Sequence, residues 1–322
     1  MASSLVTGGQ GFIGSALVRQ LLEDGDEVTV LDLPEPPFRG LEVQGVADEA
    51  RLIEGDVAST ETVAQAIEGI ERVFHLAAVT LVGEATANPA GAFRTNVGGT
   101  WTLLEALRAT DPELVVVASS DKAYGPSTTL PYREGDQLAP ASPYEGSKAA
   151  CDLIARSYHR THGMPVAVTR LANVYGGGDL NFSRLVPELM AAAIAARPPR
   201  IRSDGSPRRD FLHVSDAVTG YLAVAELVVS GSGAGEAFNV GTGRAESVGE
   251  VIELASRTTG VDLIPEGPAS DQTEDEIDEQ FVDSSKLRDE TGWRPQVDLV
   301  SGLREAYEWF SGRPGLLPVV GT

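Results

Sequence analysis

Short apolar segments alternate with longer segments through the first half of the chain. The short ones are rich in β-branched residues, whereas the longer ones carry apolar residues at the spacing of an α-helix. This alternation is typical of parallel strands joined by crossover helices. We therefore predict an α/β fold with a doubly wound parallel sheet of the Rossmann type, covered by helices on both faces. The predicted strands are residues 5–6, 28–31, 51–53, 73–76 and 114–117, and the predicted helices are residues 12–23, 64–69 and 96–109.

The pattern changes after residue 171. Glycine-rich and proline-rich connections separate short predicted helices at residues 185–196 and 248–258. We expect one domain over residues 1–172 and a smaller C-terminal α/β lobe over residues 173–322, with the chain crossing back to the first domain. Residues 271–283 hold seven acidic residues and no basic one, so we expect a solvated loop there.

Composition and charge narrow the function. Hydrophobic residues make up 42% of the 322 positions, which is enough for a substantial core. Acidic residues outnumber basic ones by 47 to 25, and the net charge of −22 argues against nucleic-acid binding. One cysteine and four histidines provide neither an intrachain disulfide nor metal-ligand spacing. No apolar run reaches the roughly 18 residues of a membrane helix, and no leader pattern is present, so we expect a cytoplasmic protein that binds no membrane.

Three glycines follow the first predicted strand at the spacing GxxGxxG and open the first helix. Gly8 allows a tight turn, Gly11 lets a ligand approach the backbone, and Gly14 permits close helix packing. Backbone N–H groups at the start of a helix bind a pyrophosphate. Asp32 ends the second predicted strand, where its carboxylate accepts adenosine ribose hydroxyls and repels a 2′-phosphate. We predict NAD as the cofactor, and Arg39 nearby keeps NADP as the alternative.

Tyr144 and Lys148 stand four residues apart, on one face of a predicted helix. A tyrosine is a poor base at neutral pH, but an adjacent ammonium and an oxidised nicotinamide favour the phenolate. The pair is then able to remove a proton from a sugar hydroxyl. Lysine occurs only at positions 122, 148 and 286, which makes a chance pairing less common.

With these residues in place, the chain resembles the extended short-chain dehydrogenase/reductases of the nucleotide-sugar epimerase/dehydratase family. The resemblance extends over nearly the whole length. It is carried by residues 7–14, 55–57, 75–78, 96–100, 119–125, 144–148, 171–176 and 209–214.

The resemblance implies a substrate that is a nucleotide-diphosphate sugar. It implies a catalytic triad of Ser120, Tyr144 and Lys148, with Ser120 emerging at the carboxyl edge of the sheet. The cofactor contacts it implies, beside the glycines and Asp32, are Phe12, Ile13, Asp56, Val57, Leu76, Ala77, Ala78, Asn96, Tyr144 and Lys148. The substrate contacts it implies are Thr80, Asn173, Arg184, Leu185, Arg202 and Arg209. Asn96 is equally compatible with a helix cap, and we interpret His75 as a structural histidine.

The tripeptide Ser120-Asp121-Lys122 bears on the reaction. Sugar 4,6-dehydratases of this family resemble Thr-Asp-Glu here, whereas 4-epimerases carry non-ionisable residues. By this resemblance Asp121 is the general acid and Lys122 occupies the place of the base, which must be neutral to act. The combination is most similar to CDP-glucose 4,6-dehydratases. The alternatives are an NDP-sugar 4-epimerase and a nucleotide-sensing regulator without turnover.

The family also commonly forms homodimers through a four-helix interface. By resemblance, the helices near residues 96–109 and 144–162 supply this interface. Apolar residues on their outward faces would then be buried between subunits.

Overall fold

The computed structural model describes residues 2–265 and 277–318. Twelve strands are found in this part of the chain. In chain order they are β1 (Ser3–Thr7), β2 (Glu27–Asp32), β3 (Arg51–Glu54), β4 (Arg72–His75), β5 (Leu114–Ser120), β6 (Val166–Leu171), β7 (Asn173–Tyr175), β8 (Arg208–Arg209), β9 (Phe211–His213), β10 (Ala237–Val240), β11 (Glu246–Ser247) and β12 (Glu279–Gln280).

Twelve α-helices accompany these strands in the described residues. They are α1 (Phe12–Glu23), α2 (Gly40–Gln44), α3 (Thr60–Ala66), α4 (Val82–Ala87), α5 (Pro89–Phe93), α6 (Gly99–Leu107), α7 (Pro143–His162), α8 (Leu185–Ile194), α9 (Val214–Val229), α10 (Val248–Thr259), α11 (Ser285–Thr291) and α12 (Leu299–Ser311). A π-helical turn (Arg94–Gly98) precedes α6, and 3₁₀ turns cover Asp121–Tyr124 and Pro314–Leu316.

Seven parallel strands form the main sheet, in the order β10-β6-β5-β4-β1-β2-β3. The strand order reverses between β1 and β4, which is where doubly wound sheets bind ligands at the carboxyl edge. The predicted Rossmann-type α/β fold is confirmed.

Helices cover both faces of this sheet. Helices α1 and α9 pack on one face, and α3, α6 and α7 pack on the other. Because both faces are buried, the strand interiors are almost entirely apolar, as in Val115, Val116 and Val117 of β5, which are each 0% exposed.

A third apolar cluster belongs to the lobe built after β6, and joins α8, α10 and α12. Two small sheets accompany it, one pairing β7 with β9 and one in the order β11-β8-β12. Between β9 and β11 the chain returns to the main sheet, because β10 pairs with β6 through residues 237–240. No helix in the described residues is long and apolar enough to cross a lipid bilayer.

Three predicted segments differ from the structure. Helix α3 begins at Thr60 and ends at Ala66, not at residues 64 and 69, because Ser59 caps it and accepts a hydrogen bond from the backbone nitrogen of Thr62. The predicted helix 96–109 begins in a π-helical turn. Residues 277–283 of the predicted solvated loop include β12, in which Gln280 is fully buried, whereas residues 271–276 lie outside the described part.

Candidate active site

The turn between β1 and α1 is built around its glycines. Gly8 has a φ of +73°, which favours glycine, and a Cβ there would lie 2.7 Å from the nitrogen of Ala77. A Cβ on Gly14 would collide with the carbonyl oxygen of Gly8. A Cβ on Gly11 would meet only that oxygen within 4 Å, so its outer side is open. The turn therefore fits a dinucleotide pyrophosphate at the N-terminus of α1, which begins with Phe12 and Ile13.

Asp32 ends β2 beside this turn. Its Oδ2 accepts a hydrogen bond from the backbone nitrogen of Gln10 at 2.7 Å, and its Oδ1 accepts one from that of Leu33 at 2.8 Å. Burial raises the pKa of Asp32, and both hydrogen bonds oppose the rise. The carboxylate is thus held at the edge where a Rossmann fold binds the ribose. Arg39, which kept NADP as the alternative, pairs with Glu42 at 3.1 Å.

We expect Gly14→Ala to weaken NAD binding by roughly tenfold or more. The added methyl group collides with the carbonyl oxygen of Gly8, and overpacking of this kind costs about 1–3 kcal/mol. A titration of NAD followed by protein fluorescence measures the effect. Gly83→Ala is the matched control, because a Cβ there meets nothing within 4 Å. Equal affinity of the two variants would contradict a tight turn around the pyrophosphate.

Ala77 follows β4 and lies against the glycine turn, with its N–H donating to Oγ1 of Thr7 at 3.2 Å. Below it is His75, whose Nδ1 lies 2.7 Å from Oγ1 of Thr7 and whose Nε2 lies 2.9 Å from Oγ1 of Thr100. Thr100 donates its hydroxyl hydrogen to a backbone carbonyl, so its oxygen accepts the hydrogen bond from Nε2–H of His75. Nδ1 of His75 therefore accepts the hydrogen bond from the hydroxyl of Thr7. Burial lowers the pKa of His75 to about 3, so it is a neutral structural histidine.

Asn96 joins the segment after β4 to helix α7. Its Oδ1 accepts from the nitrogen of Val79 at 2.7 Å, and its Nδ2 donates to Oγ of Ser147 at 2.8 Å. It lies buried inside the π-helical turn, so the helix-cap interpretation is wrong, and its contact with a cofactor stays a prediction. Other predicted contact residues of the segment are the half-buried Leu76 and Ala78 and the exposed Thr80.

Asp56 and Val57 stand at the carboxyl end of β3. Asp56 accepts from the backbone nitrogen of Ala58 at 2.8 Å and pairs with the guanidinium of Arg94 at 2.9 Å. Val57 is 4% exposed, and its Cγ1 occupies the space that a Cβ on Gly99 would need. The local turn and this packing fix the positions of both residues, whose contact with the cofactor stays a prediction.

Helix α7 carries the predicted tyrosine and lysine. A capping box begins the helix, since Ser142 accepts from the nitrogen of Glu145 and the Glu145 carboxylate accepts from that of Ser142. This cap fixes the first turn, in which Tyr144 lies. Tyr144 and Lys148 are 7% and 5% exposed, so the helix presents both residues inward, as predicted.

Burial raises the pKa of Tyr144 to about 12, against a hydrogen bond with Ser120 and the positive charge of Arg184. The sequence suggested Lys148 as the charge that lowers this pKa. Its Nζ instead donates to the carbonyl oxygen of Ala118 at 3.0 Å, and its charge lowers the pKa of His75. Arg184 is thus a cation that favours the phenolate, and the same role for Lys148 and the oxidised nicotinamide stays a prediction.

Asp121 is 1% exposed at the start of the 3₁₀ turn after β5. Its Oδ1 accepts a hydrogen bond from Oγ of Ser120 at 3.0 Å, and its buried Oδ2 has no partner among the described residues. Burial raises the pKa of Asp121, and the charge of Lys122 opposes the rise most strongly. A buried carboxyl whose proton is retained to a higher pH is suited to donate it.

Lys122 is half-buried in the same turn. Its backbone nitrogen donates to Oγ of Ser120 at 3.2 Å, and its Nζ donates to Oε1 of Gln280 at 3.1 Å. Sequence reasoning missed Gln280, which stands among acidic residues. The apolar pair Phe281 and Val282 beside it was the available signal that this segment returns to the interior.

Two predicted substrate residues lie close to these groups. Arg184 caps α8 just before Leu185, pairs with Asp179 at 3.2 Å and acts electrostatically on Tyr144. Arg209 of β8 is 9% exposed, donates to the carbonyl oxygen of Asp278 and acts electrostatically on Asp121.

Two further predicted substrate residues are Asn173 and Arg202. Asn173 begins β7, and its buried Nδ2 has no hydrogen-bond partner in the described part of the chain. Arg202 is exposed and donates to the carbonyl oxygen of Ser183 at 2.7 Å. No group of three or more His, Cys, Asp or Glu side chains able to hold a metal ion occurs among residues 2–265 and 277–318.

A glycine turn, a carboxylate at the end of β2 and an inward tyrosine–lysine pair define an extended short-chain dehydrogenase/reductase. Residues 4–241 match the model of the NAD dependent epimerase/dehydratase family. The chain belongs to this family, and NAD is its cofactor.

Comparisons with individual proteins agree. The chain is 34% identical to a dTDP-glucose 4,6-dehydratase of Streptomyces niveus, over 95% of this chain and 92% of that protein. A dTDP-glucose 4,6-dehydratase of Streptomyces venezuelae, solved with NAD bound, has a TM-score of 0.88 and 32% identity, covering 97% of this chain and 98% of the other. A UDP-glucose 4-epimerase of Thermotoga maritima also has a TM-score of 0.88, with 30% identity, covering 96% of this chain and 99% of the other. The relatives therefore include both dehydratases and epimerases.

Proposed function

We propose that this chain is an NAD-dependent NDP-hexose 4,6-dehydratase, which forms an NDP-4-keto-6-deoxyhexose. The observation that carries the proposal is the buried carboxyl of Asp121, with one oxygen bonded to Ser120 and the other without a partner among described residues. A 4-epimerase exchanges a proton only at the C4 hydroxyl, so it has no use for a second proton donor beside Tyr144.

The first step removes two hydrogens at sugar C4. Tyr144, whose pKa is lowered by both Ser120 and Arg184 against the effect of burial, takes the proton of the C4 hydroxyl. Bound NAD would supply the hydride acceptor for C4 and the hydride donor for C6, which would make the reaction redox-neutral overall. The resulting C4 ketone acidifies the hydrogen on C5.

The second step eliminates water. Neutral Lys122 takes the C5 proton and becomes an ammonium, while Asp121 gives its proton to the C6 hydroxyl, which leaves as water. The C5–H electron pair forms the C5–C6 double bond, and Asp121 becomes a carboxylate. The hydride would then be added at C6, and the Lys122 ammonium returns its proton to C5. The proton that Tyr144 took from the C4 hydroxyl passes to the Asp121 carboxylate, so all three groups are restored.

For the nucleotide, we propose a pyrimidine base. Relatives are named for dTDP-glucose and UDP-glucose, and the Ser120-Asp121-Lys122 sequence resembles the CDP-glucose branch. The preference for CDP-glucose stays a prediction. Arg209, 9% exposed and adjacent to Asp121, has the forked donors that suit the diphosphate common to all three.

Product analysis tests the function. The wild-type protein with NAD is incubated with CDP-, dTDP-, UDP- and GDP-glucose, and products are separated and weighed by mass spectrometry. We expect loss of one water from a pyrimidine nucleotide sugar. A C4 epimer of unchanged mass would instead support the second candidate, a 4-epimerase, which the Thermotoga maritima structure favours. No conversion of any sugar would support the remaining alternative, a regulator.

We also propose a homodimer formed through α6 and α7. These helices pack against each other and expose large apolar side chains, with Trp101 at 59% and Leu153 at 55%. Exposed apolar residues on two adjacent helices are typical of an interface.

Trp101→Arg is expected to produce a monomer, because it places a charge at the centre of this apolar face. Light scattering at micromolar concentration measures the mass of wild type and variant. Val229→Arg is the control, since Val229 is 47% exposed on α9, which lies on the other face of the sheet. A monomeric wild type would contradict the proposed interface.

A further inference from the structure

One uncharged side chain in the acidic segment before α11, that of Gln280, is buried in the protein interior. Strand β12 pairs in parallel with β8, so that Gln280 lies beside Arg209 in the register. Gln280 is 0% exposed, whereas the side chain of its neighbour Glu279 points outward to Arg208 at 3.3 Å. Gln280 therefore stands in the same wall of the site as the arginine predicted to hold the diphosphate.

The amide of Gln280 is only half engaged. Its Oε1 accepts a hydrogen bond from Nζ of Lys122 at 3.1 Å. Its buried Nε2 has no partner among the described residues, and neither has Oδ2 of the nearby Asp121. Buried polar atoms are normally paired, so unpaired ones around one lysine indicate a place for a polar ligand.

We propose that Gln280 is the positioning residue for Lys122, holding its nitrogen toward the sugar through a neutral acceptor. The inference rests on the proposed dehydration, in which Lys122 removes the C5 proton. An amide oxygen orients the lysine but stabilises its charged form less than a carboxylate does. A carboxylate at this position would keep the lysine protonated and inactive as a base.

Several titratable groups of the described residues are coupled to Lys122 through its neighbour Asp121. The charges of Lys122 and Arg209 act on Asp121, whose charge in turn acts on Asp210. The charges of Asp121, of Arg209 and of Glu145 in the first turn of α7 act on Tyr132, which lies in the loop before α7. The substitutions below leave all five in place, so a change in pH dependence is assigned to Lys122 and position 280.

The test compares Gln280→Glu and Gln280→Met with Glu279→Gln, a matched exchange on the outward side of the same strand. Dehydration is measured by product mass from about pH 6 to 10, together with incorporation of solvent deuterium at C5. In Gln280→Glu we expect a loss of about tenfold for each unit by which the lysine pKa rises. This loss shrinks as the pH increases, because wild type and variant both reach the neutral lysine at high pH. In Gln280→Met we expect a loss of roughly tenfold or more at every pH.

The outcomes separate this inference from the proposed function. If the wild type dehydrates the sugar and both Gln280 variants show the same loss of activity at every pH, the inference is wrong. The proposed dehydratase function then still stands. Losses in Glu279→Gln equal to those at position 280 would overturn it as well. A wild type that forms only a C4 epimer would overturn the dehydration and the inference together. A loss of dehydration activity that becomes smaller as the pH increases, in Gln280→Glu and in no other variant, supports both the inference and the proposed function.

Discussion

We expect Tyr144→Phe to lower turnover by about 10²–10⁴-fold, the size typical for removal of a general base. The substitution deletes one oxygen from a side chain that is 7% exposed, so packing and sugar binding are retained. It acts on the proton of the C4 hydroxyl, so both dehydration and epimerisation are lost.

Product mass and the ultraviolet absorbance of reduced cofactor measure the effect. Tyr158→Phe is the matched control, because it removes a phenol from the same helix, where its hydroxyl donates to Glu105 at 3.0 Å near the surface. Full activity of Tyr144→Phe, or equal losses in the two variants, would contradict the assignment of Tyr144 as the base.

If the proposed dehydration is right, we expect Asp121→Asn and Lys122→Met each to reduce it by about 10²–10⁴-fold while C4 oxidation continues. The asparagine cannot give a proton to the leaving C6 oxygen, and the methionine cannot take one from C5. Because Tyr144 and Lys148 are unchanged, the oxidised sugar and the reduced cofactor accumulate.

The same two measurements separate the steps, since cofactor absorbance rises while the dehydrated product is missing. Asp136→Asn serves as the control, because this exposed carboxylate accepts a hydrogen bond from Arg133 in a surface turn. Near wild-type dehydration by both variants would show that Asp121 and Lys122 do not perform the elimination.

Periodicity predicted the Rossmann half well, because strands buried on both faces need continuous apolar runs. Helix α1 begins at Phe12 and ends at Glu23 as predicted, since glycine spacing marks its start and Asp24 ends it. Helix α3 was misplaced because its position depends on one capping serine, Ser59, rather than on apolar spacing.

The candidate site likewise contains residues that local sequence patterns predict and contacts that they do not predict. Contiguous motifs predicted Tyr144, Lys148 and the tripeptide at Ser120 because their chemistry is local to one turn. The contact between Lys122 and Gln280 spans 158 positions and depends on a strand of two residues, so no local pattern predicts it. The opposing charge of Arg184 at Tyr144 also depends on the tertiary fold, because Arg184 lies far from Tyr144 in the sequence.

The return of β10 to the main sheet has a consequence for how this chain folds as it is synthesised. Until residues 237–240 have been made, β6 is an edge strand with a row of unpaired backbone groups, which is an aggregation hazard. The N-terminal part therefore completes its sheet only after the polypeptide has passed through most of the lobe. Nascent chains that stop before β10 are expected to need chaperones, and the finished protein is expected to melt in a single cooperative transition.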